Sequence, residues 1–203
     1  NKPVTENSTF SHNGNSVYAI TKFGAEMEVW RGSQEGLDVT IVNPGVIIGA
    51  GNWNSGSGLL FKKIDQGLNY HFPKTTGFVG VEDVAEAMFE LIKKPIKNER
   101  YILVAENLSF KSLFSEIAKS LGKPAPSKEL KPWMVFIGWL FQYAMSSLFG
   151  TKRQITKKSY KTLFETTTYD ASKIKKELGF EFRSIHSCVQ KTGAVFLKEK
   201  RST

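Results

Sequence analysis

The sequence predicts an α/β protein in which amphipathic helices alternate with short β-branched strands. Three stretches carry that expectation. Leu37 to Val42 is a β-branched run of strand length that follows a helical pattern. Gly77 to Val81 is a short strand that hands over to a helix near Asp83, and Tyr101 to Val104 is another strand, followed by a helix opening after Ser109.

Taken in order, residues 1 to 15 are polar and turn-rich and read as a loop ending in Asn13-Gly14-Asn15. Ser16 is the expected N-cap of a helix whose apolar positions Val17, Ile20, Ala25, Val29 and Trp30 recur near helical spacing until Gly32 and Gly36 stop it. The strand at 37 to 42 is expected to terminate at Asn43-Pro44-Gly45. Val46 to Ile48 then leads into a glycine-rich stretch, 49 to 58, that reads as flexible and as a substrate loop. Leu59 to Gly67 is a short helix. Val84, Ala87, Met88, Leu91 and Ile92 share one face of the next helix, with Asp83 at its amino end, where a carboxylate favours the dipole; the role expected of Asp83 is structural. The helix from Ser109 to Leu121 is stopped by Gly122 and Pro124, and Lys123 to Lys128 is a linker. Residues 133 to 149 are the most apolar block, too short and too interrupted by Gln142, Ser146 and Ser147 to read as a membrane span. Helices at Ser172 to Leu178, ended by Gly179, and at Ile185 to Lys198 complete the chain.

The 203 residues, 40% of them hydrophobic, suffice for a buried core. The single Cys188 excludes an internal disulfide framework. His12, His71 and His186 lie far apart without cysteine or carboxylate at ligand spacing, so no metal site is expected. The net charge of +9 invites a nucleic-acid reading, but the basic residues are scattered apart from 152 to 161 and the C-terminus, and neither cluster interleaves with aromatics. A solvated surface is the expectation. No charged leader followed by an apolar stretch opens the sequence, so a cytoplasmic protein is expected.

Chemistry enters with Tyr18-Ala19-Ile20-Thr21-Lys22. Four residues apart on a helix, the phenol and the ammonium share a face, with Cβ atoms about 6 Å apart. A free phenol has a pKa near 10, and a neighbouring cation favours its phenolate, so such a pair suits proton exchange with a carbonyl that receives hydride. The spacing alone is weak. Tyr70 and Lys74 share it, with Pro73 between them, and so do Tyr169 and Lys173, where Lys173 reads as a solvated surface charge.

Context chooses among the three. The helix of Ser16-Val17-Tyr18-Ala19-Ile20-Thr21-Lys22, the strand after it, and Asn43-Pro44-Gly45-Val46-Ile47-Ile48-Gly49 together resemble the extended short-chain dehydrogenase/reductase superfamily, in its epimerase/dehydratase and dihydroflavonol-reductase-like branches. Phe78-Val79-Gly80-Val81-Glu82-Asp83-Val84-Ala85, Glu99-Arg100-Tyr101 with Glu106-Asn107-Leu108-Ser109, and Leu178-Gly179-Phe180 match later signatures in the same order. The resemblance implies the C-terminal part of a doubly wound, Rossmann-type parallel sheet with a smaller, mostly helical substrate lobe. Residues 1–50 would be the remainder of the dinucleotide-binding domain and 51–203 mainly the lobe, with 77–104 returning to the sheet. It implies Tyr18 as acid/base, Lys22 as its electrostatic partner and ribose ligand, and Pro44, Gly45, Val46 and Ile47 as contacts to the nicotinamide end of NAD or NADP.

No glycine-rich turn with G-x-G-x-x-G spacing stands between a strand and a helix here, and the family's catalytic Ser or Thr is not identifiable; both are expected upstream of Asn1. The 203 residues alone are therefore expected to be inactive parts of an NAD(P)-dependent oxidoreductase. A nucleotide-sugar epimerase or dehydratase with tightly held NAD, and a non-catalytic family member, are the alternatives. Nucleotide-sugar enzymes carry an arginine before the Phe-Val strand, whereas Lys74-Thr75-Thr76-Gly77 offers only Lys74. Trp53, Asn54, Lys74 and Trp133 are the candidate substrate contacts, and the aromatic block suits a lipophilic small molecule. Three readings of 133–149 stay open: packing within the lobe, substrate contact, and peripheral membrane contact with Lys128, Lys131, Lys152 and Arg153 as anchors. A homodimer also stays open.

Overall fold

A computed structural model describes residues 2–10, 17–149 and 163–202, with side chains for all of these except 141–149. Ser16 and the basic cluster at 152 to 161 lie outside the described residues.

Helix α1 (Val17–Gln34) leads through a turn into β1 (Thr40–Pro44), which pairs in parallel with β5 (Glu99–Leu103), Thr40 opposite Glu99 and Pro44 opposite Leu103. β1 ends at Pro44, inside the Asn43-Pro44-Gly45 stretch where the sequence placed its end, and a second strand follows after one residue. The Gly45 N–H donates to the Leu103 carbonyl (3.0 Å), and β2 (Val46–Ile48) continues by pairing in parallel with β4 (Thr75–Gly80). The chain changes neighbours at one residue. A Cβ on Gly45 would stand 2.5 Å from the Gly77 carbonyl oxygen, so the absent side chain is what permits the crossing.

Alternation along β4 then divides the interior in two. Phe78 packs with Ile48 on one side, where α2 (Gly58–Asp65), α4 (Phe110–Ser120) and α7 (Ile185–Ser202) bring Phe61, Leu113, Ile117 and Val189. Val79 points to the other, among Leu103, Leu91 of α3 (Val81–Ile92) and Ile174 of α6 (Ser172–Leu178). Burial of this many large aliphatic and aromatic side chains, at about 1.5–3 kcal/mol each, is the main force holding the layers together.

The α/β class with parallel pairing is observed, distributed among the described residues over three small sheets. β6 (Glu106–Ser109) runs antiparallel to β4, and the two-residue strands β3 (Tyr70–His71) and β7 (Lys128–Glu129) pair in parallel. Residues read as a linker thus end in a strand. Two residues are too few to show alternation. Ser109 caps α4 as expected, its Oγ accepting from the Ser112 N–H at 3.0 Å. α5 (Pro132–Phe149) occupies the apolar block. No helix among the described residues is long and apolar enough to cross a membrane.

Candidate functional site

The position of Tyr18 follows from how α1 is fastened. Of the 18 residues of α1 only Ser33 is buried, so apolar packing does little to fix it. Glu26 does more. One of its carboxylate oxygens accepts from the Arg100 guanidinium (3.1 Å) and from the Trp30 indole (3.3 Å), and the other from the Asn43 amide (3.0 Å). Glu26 lies eight residues before the end of α1 and Asn43 three residues into β1. That is about 12 Å of helix against about 10 Å of strand, so the two run antiparallel. The first turn of α1 therefore projects beyond the carboxyl end of β1. Lys22 and Tyr18 precede Glu26 by four and eight residues and share its stripe, drifting about 40° per step. They are carried toward the edge where Pro44 and Gly45 make the crossing. Both are exposed, Tyr18 by 74%.

At the same edge lies a cleft of about 670 Å³. Val46 and Ile47 form part of its wall, the loop of Gly49 to Gly58 another, and Phe72, Val81 and Phe110 close it. None of its lining residues is charged. Phe110 is locked edge-on against Phe72 and Phe78, with ring centroids 5.4 and 5.6 Å away. The loop, read as flexible, is folded on itself. Asn52 Oδ1 accepts from the Asn54 N–H at 2.8 Å, and a Cβ on Gly58 would stand 2.5 Å from the Asn52 carbonyl oxygen.

Of the residues singled out from the sequence, the structure gathers Val46 and Ile47 in the cleft, with Pro44 and Gly45 leading into it. Trp53, Asn54, Lys74 and Trp133 are not among its lining residues. The Trp53 indole N–H donates to Glu199 (2.6 Å) while its ring packs edge-on against Phe61 and Phe196, which makes it a fastener between the loop and α7. Asn54 accepts from Lys62. Lys74 is half-buried, and burial pulls its ammonium below the ordinary lysine value against the opposing pull of Glu165. Trp133 stands exposed on α5.

The other Tyr-x-x-x-Lys spacings have different fates. Tyr70 lies in β3, not on a helix. Lys173 is not a solvated charge, as the sequence suggested: it bonds Glu99 and the Arg100 carbonyl oxygen, with its ammonium 4.6 Å from the Tyr101 ring centroid. Asp83 is fully buried and accepts from the Arg183 guanidinium and backbone N–H, so its work is to hold α3 against the segment before α7. The residues the sequence reading missed are Glu26, Phe72 and Phe110. Only Glu26 left a signal, as a carboxylate four residues beyond Lys22 on the same stripe.

No family model matches the chain. The putative dihydroflavonol 4-reductase of Synechocystis sp. is 28% identical over 178 residues, covering 83% of this chain and 51% of that protein. Sterol demethylase protein B of Methylococcus capsulatus is 26% identical over 80% of the chain and 51% of its own length. Tetraketide alpha-pyrone reductase 2 of Arabidopsis thaliana is 34% identical over 43% of the chain and 29% of its own length. The chain is similar to these three proteins. It spans about half the length of the first two of these relatives. Solved structures share its fold. The crystal structure of gox2253 superposes with a TM-score of 0.80 at 24% identity, over 98% of this chain and 62% of that one. A dTDP-glucose 4,6-dehydratase from Streptomyces venezuelae, crystallised with NAD and TYD bound, superposes with a TM-score of 0.73 at 18% identity, over 100% and 56%. At such identities the likeness is one of fold: the α/β arrangement is that of the Rossmann-type epimerases and dehydratases.

Proposed function

We propose that these residues belong to an NAD(P)-dependent oxidoreductase that reduces the carbonyl, or oxidises the hydroxyl, of a lipophilic small molecule. The observation that carries this reading is the uncharged cleft opening at the strand crossing, on the sheet edge toward which α1 projects Tyr18 and Lys22. Ligands of open α/β sheets bind beyond the carboxyl ends of the strands, where neighbours switch. The cleft offers no cation for a diphosphate, which favours a lipophilic substrate over a nucleotide sugar. The names of the relatives, two reductases and a sterol-processing protein, point the same way.

In this reading the Tyr18 hydroxyl gives its proton to the oxygen of a carbonyl held in the cleft, or takes one from the hydroxyl in the reverse direction. The Lys22 ammonium, one turn along the helix, is the electrostatic partner of Tyr18 and binds ribose hydroxyls. Val46 and Ile47 present an apolar wall to the nicotinamide ring, and Pro44 and Gly45 set where that wall begins. NAD or NADP, when bound, supplies or accepts the hydride. The residues present fit the nicotinamide end of such a cofactor; no G-x-G-x-x-G turn for the pyrophosphate occurs in the sequence, so the 203 residues on their own are expected to bind dinucleotide weakly and to be inactive.

The test is to join this chain behind the front half of the Synechocystis relative and to follow NADPH and NADH oxidation with a panel of lipophilic ketones. Net oxidation supports the proposal. Isomerisation of a nucleotide sugar without net redox change would replace it with an epimerase. Tight, stoichiometric NADH binding by the 203 residues alone would refute the expected inactivity.

A further inference from the structure

α5 is apolar on more than one face. Val135 is buried and Met134 and Trp139 are half-buried, so one side seats on the protein. Trp133, Phe136, Ile137 and Leu140 are 62%, 56%, 55% and 52% exposed. Their spacing of i, i+3, i+4 and i+7 places them on one stripe, a ridge of two aromatic and two aliphatic side chains left in water. Helices that are apolar around most of their circumference are ordinarily covered.

The charges around the ridge indicate by what. Between 128 and 161 the sequence holds seven basic residues and a single carboxylate, Glu129, which is itself paired to Lys131 at 3.3 Å. Lys128 and Lys131 precede the amino end of α5, and the first turn of α5 contains no acidic residue. Cations there run against the helix dipole, so they do not serve the helix. Lys152, Arg153, Lys157, Lys158 and Lys161 follow its carboxyl end in the sequence. A second copy of the chain laid on this ridge would set cation against cation. An anionic lipid surface meets both demands, apolar at the acyl boundary and negative at the headgroups.

We propose that α5 is a peripheral membrane anchor, its Trp133, Phe136, Ile137 and Leu140 ridge entering the interface of an anionic bilayer while Lys128 and Lys131 engage phosphate headgroups. The helix lies on the bilayer and does not cross it. This inference is independent of the catalytic reading, since it concerns a surface outside the cleft.

Flotation of the 203-residue chain with vesicles tests it. The chain should float with equal parts phosphatidylcholine and phosphatidylglycerol, remain below with phosphatidylcholine alone, and lose binding about tenfold or more when salt is raised enough to screen two lysine contacts. Combining Phe136→Glu, Ile137→Glu and Leu140→Glu should abolish flotation with the circular dichroism spectrum unchanged. Phe89→Glu, at a side chain 59% exposed on α3, should leave it intact. Should the triple variant misfold, Lys128→Gln with Lys131→Gln should weaken binding by about tenfold or more, at roughly 1 kcal/mol per cation. The proposal fails if the parent stays in the soluble fraction with the anionic vesicles, if a folded ridge variant floats equally well, or if Phe89→Glu has the same effect. A concentration-dependent dimer lost in the ridge variant, without flotation of the parent, would overturn it in favour of self-association.

Discussion

Replacing Glu26 with alanine should loosen α1 more than a substitution on a largely exposed helix ordinarily would. The carboxylate accepts three side-chain bonds, from Arg100, Asn43 and Trp30, and the Arg100 pair is shielded, with side chains 30% and 15% exposed. Breaking a fully buried pair costs about 3–5 kcal/mol, whereas an exposed pair contributes about 0–1 kcal/mol. Partial exposure, and the Glu6 carbonyl oxygen still available to Arg100, put Glu26→Ala at about 2–3 kcal/mol. Glu26→Gln retains an acceptor and should lose about 1 kcal/mol. Urea denaturation measures both, and a cycle with Arg100→Gln should return a coupling of about 1 kcal/mol or more. The effect should also be local: with Ser33 the only buried residue of α1, amide hydrogen exchange should accelerate there and not in α7. A loss below about 0.5 kcal/mol, within the ordinary range for surface substitutions, or unchanged exchange in α1, would refute the anchoring role.

Gly45→Ala should cost about 3 kcal/mol, at the upper end for overpacking, because the new methyl meets the Gly77 backbone at 2.5 and 2.8 Å and backbone cannot step aside; denaturation within 0.5 kcal/mol of the parent, roughly the noise of a surface change, would mean the strands cross less tightly. Asp170 should supply a small pH-dependent term. The backbone N–H of Ser172 donates to its carboxylate at 2.8 Å and holds the carboxyl below the usual range. A depressed folded value stabilises above the unfolded pKa, about 3.9, and that contribution fades as pH falls through the lowered value. Asp170→Asn should therefore melt slightly below the parent at neutral pH, the gap closing in acid as the carboxyl protonates; a gap unchanged across the acid titration would contradict the assignment.

Much of the fold was legible because its signals are short-range. Ser109 announced the start of α4 and Gly179 the end of α6 within a few residues of each helix. The strand after Lys22 was legible in the same way, from a β-branched run bounded by Pro44 and Gly45. What stayed hidden is set by distant partners. Glu26 meets Arg100 across 74 positions, and nothing local says which face of α1 will find it. Trp53 stood in a glycine-rich loop and read as a substrate contact, yet its partner Glu199 is 146 residues away. Phe72 and Phe110 meet because β6 pairs with β4, Thr75 opposite Ser109, and the Phe110 N–H donates to the Lys74 carbonyl oxygen, a register set between segments more than thirty residues apart. Lys173 looked solvated for the same reason: Glu99 and Tyr101, which hold it, arrive from a strand seventy residues earlier.

In the proposed reaction, hydride reaches a carbonyl in the cleft while Tyr18 handles the proton. In the polypeptide that joins this chain to a dinucleotide-binding half, reduction of a lipophilic ketone with NADPH deuterated at the transferring position should place deuterium on the carbinol carbon. Tyr18→Phe, at a side chain 74% exposed and so without cost to the fold, should slow that transfer about a hundredfold or more. Product without deuterium, or a Tyr18→Phe variant as fast as its parent, would contradict the account.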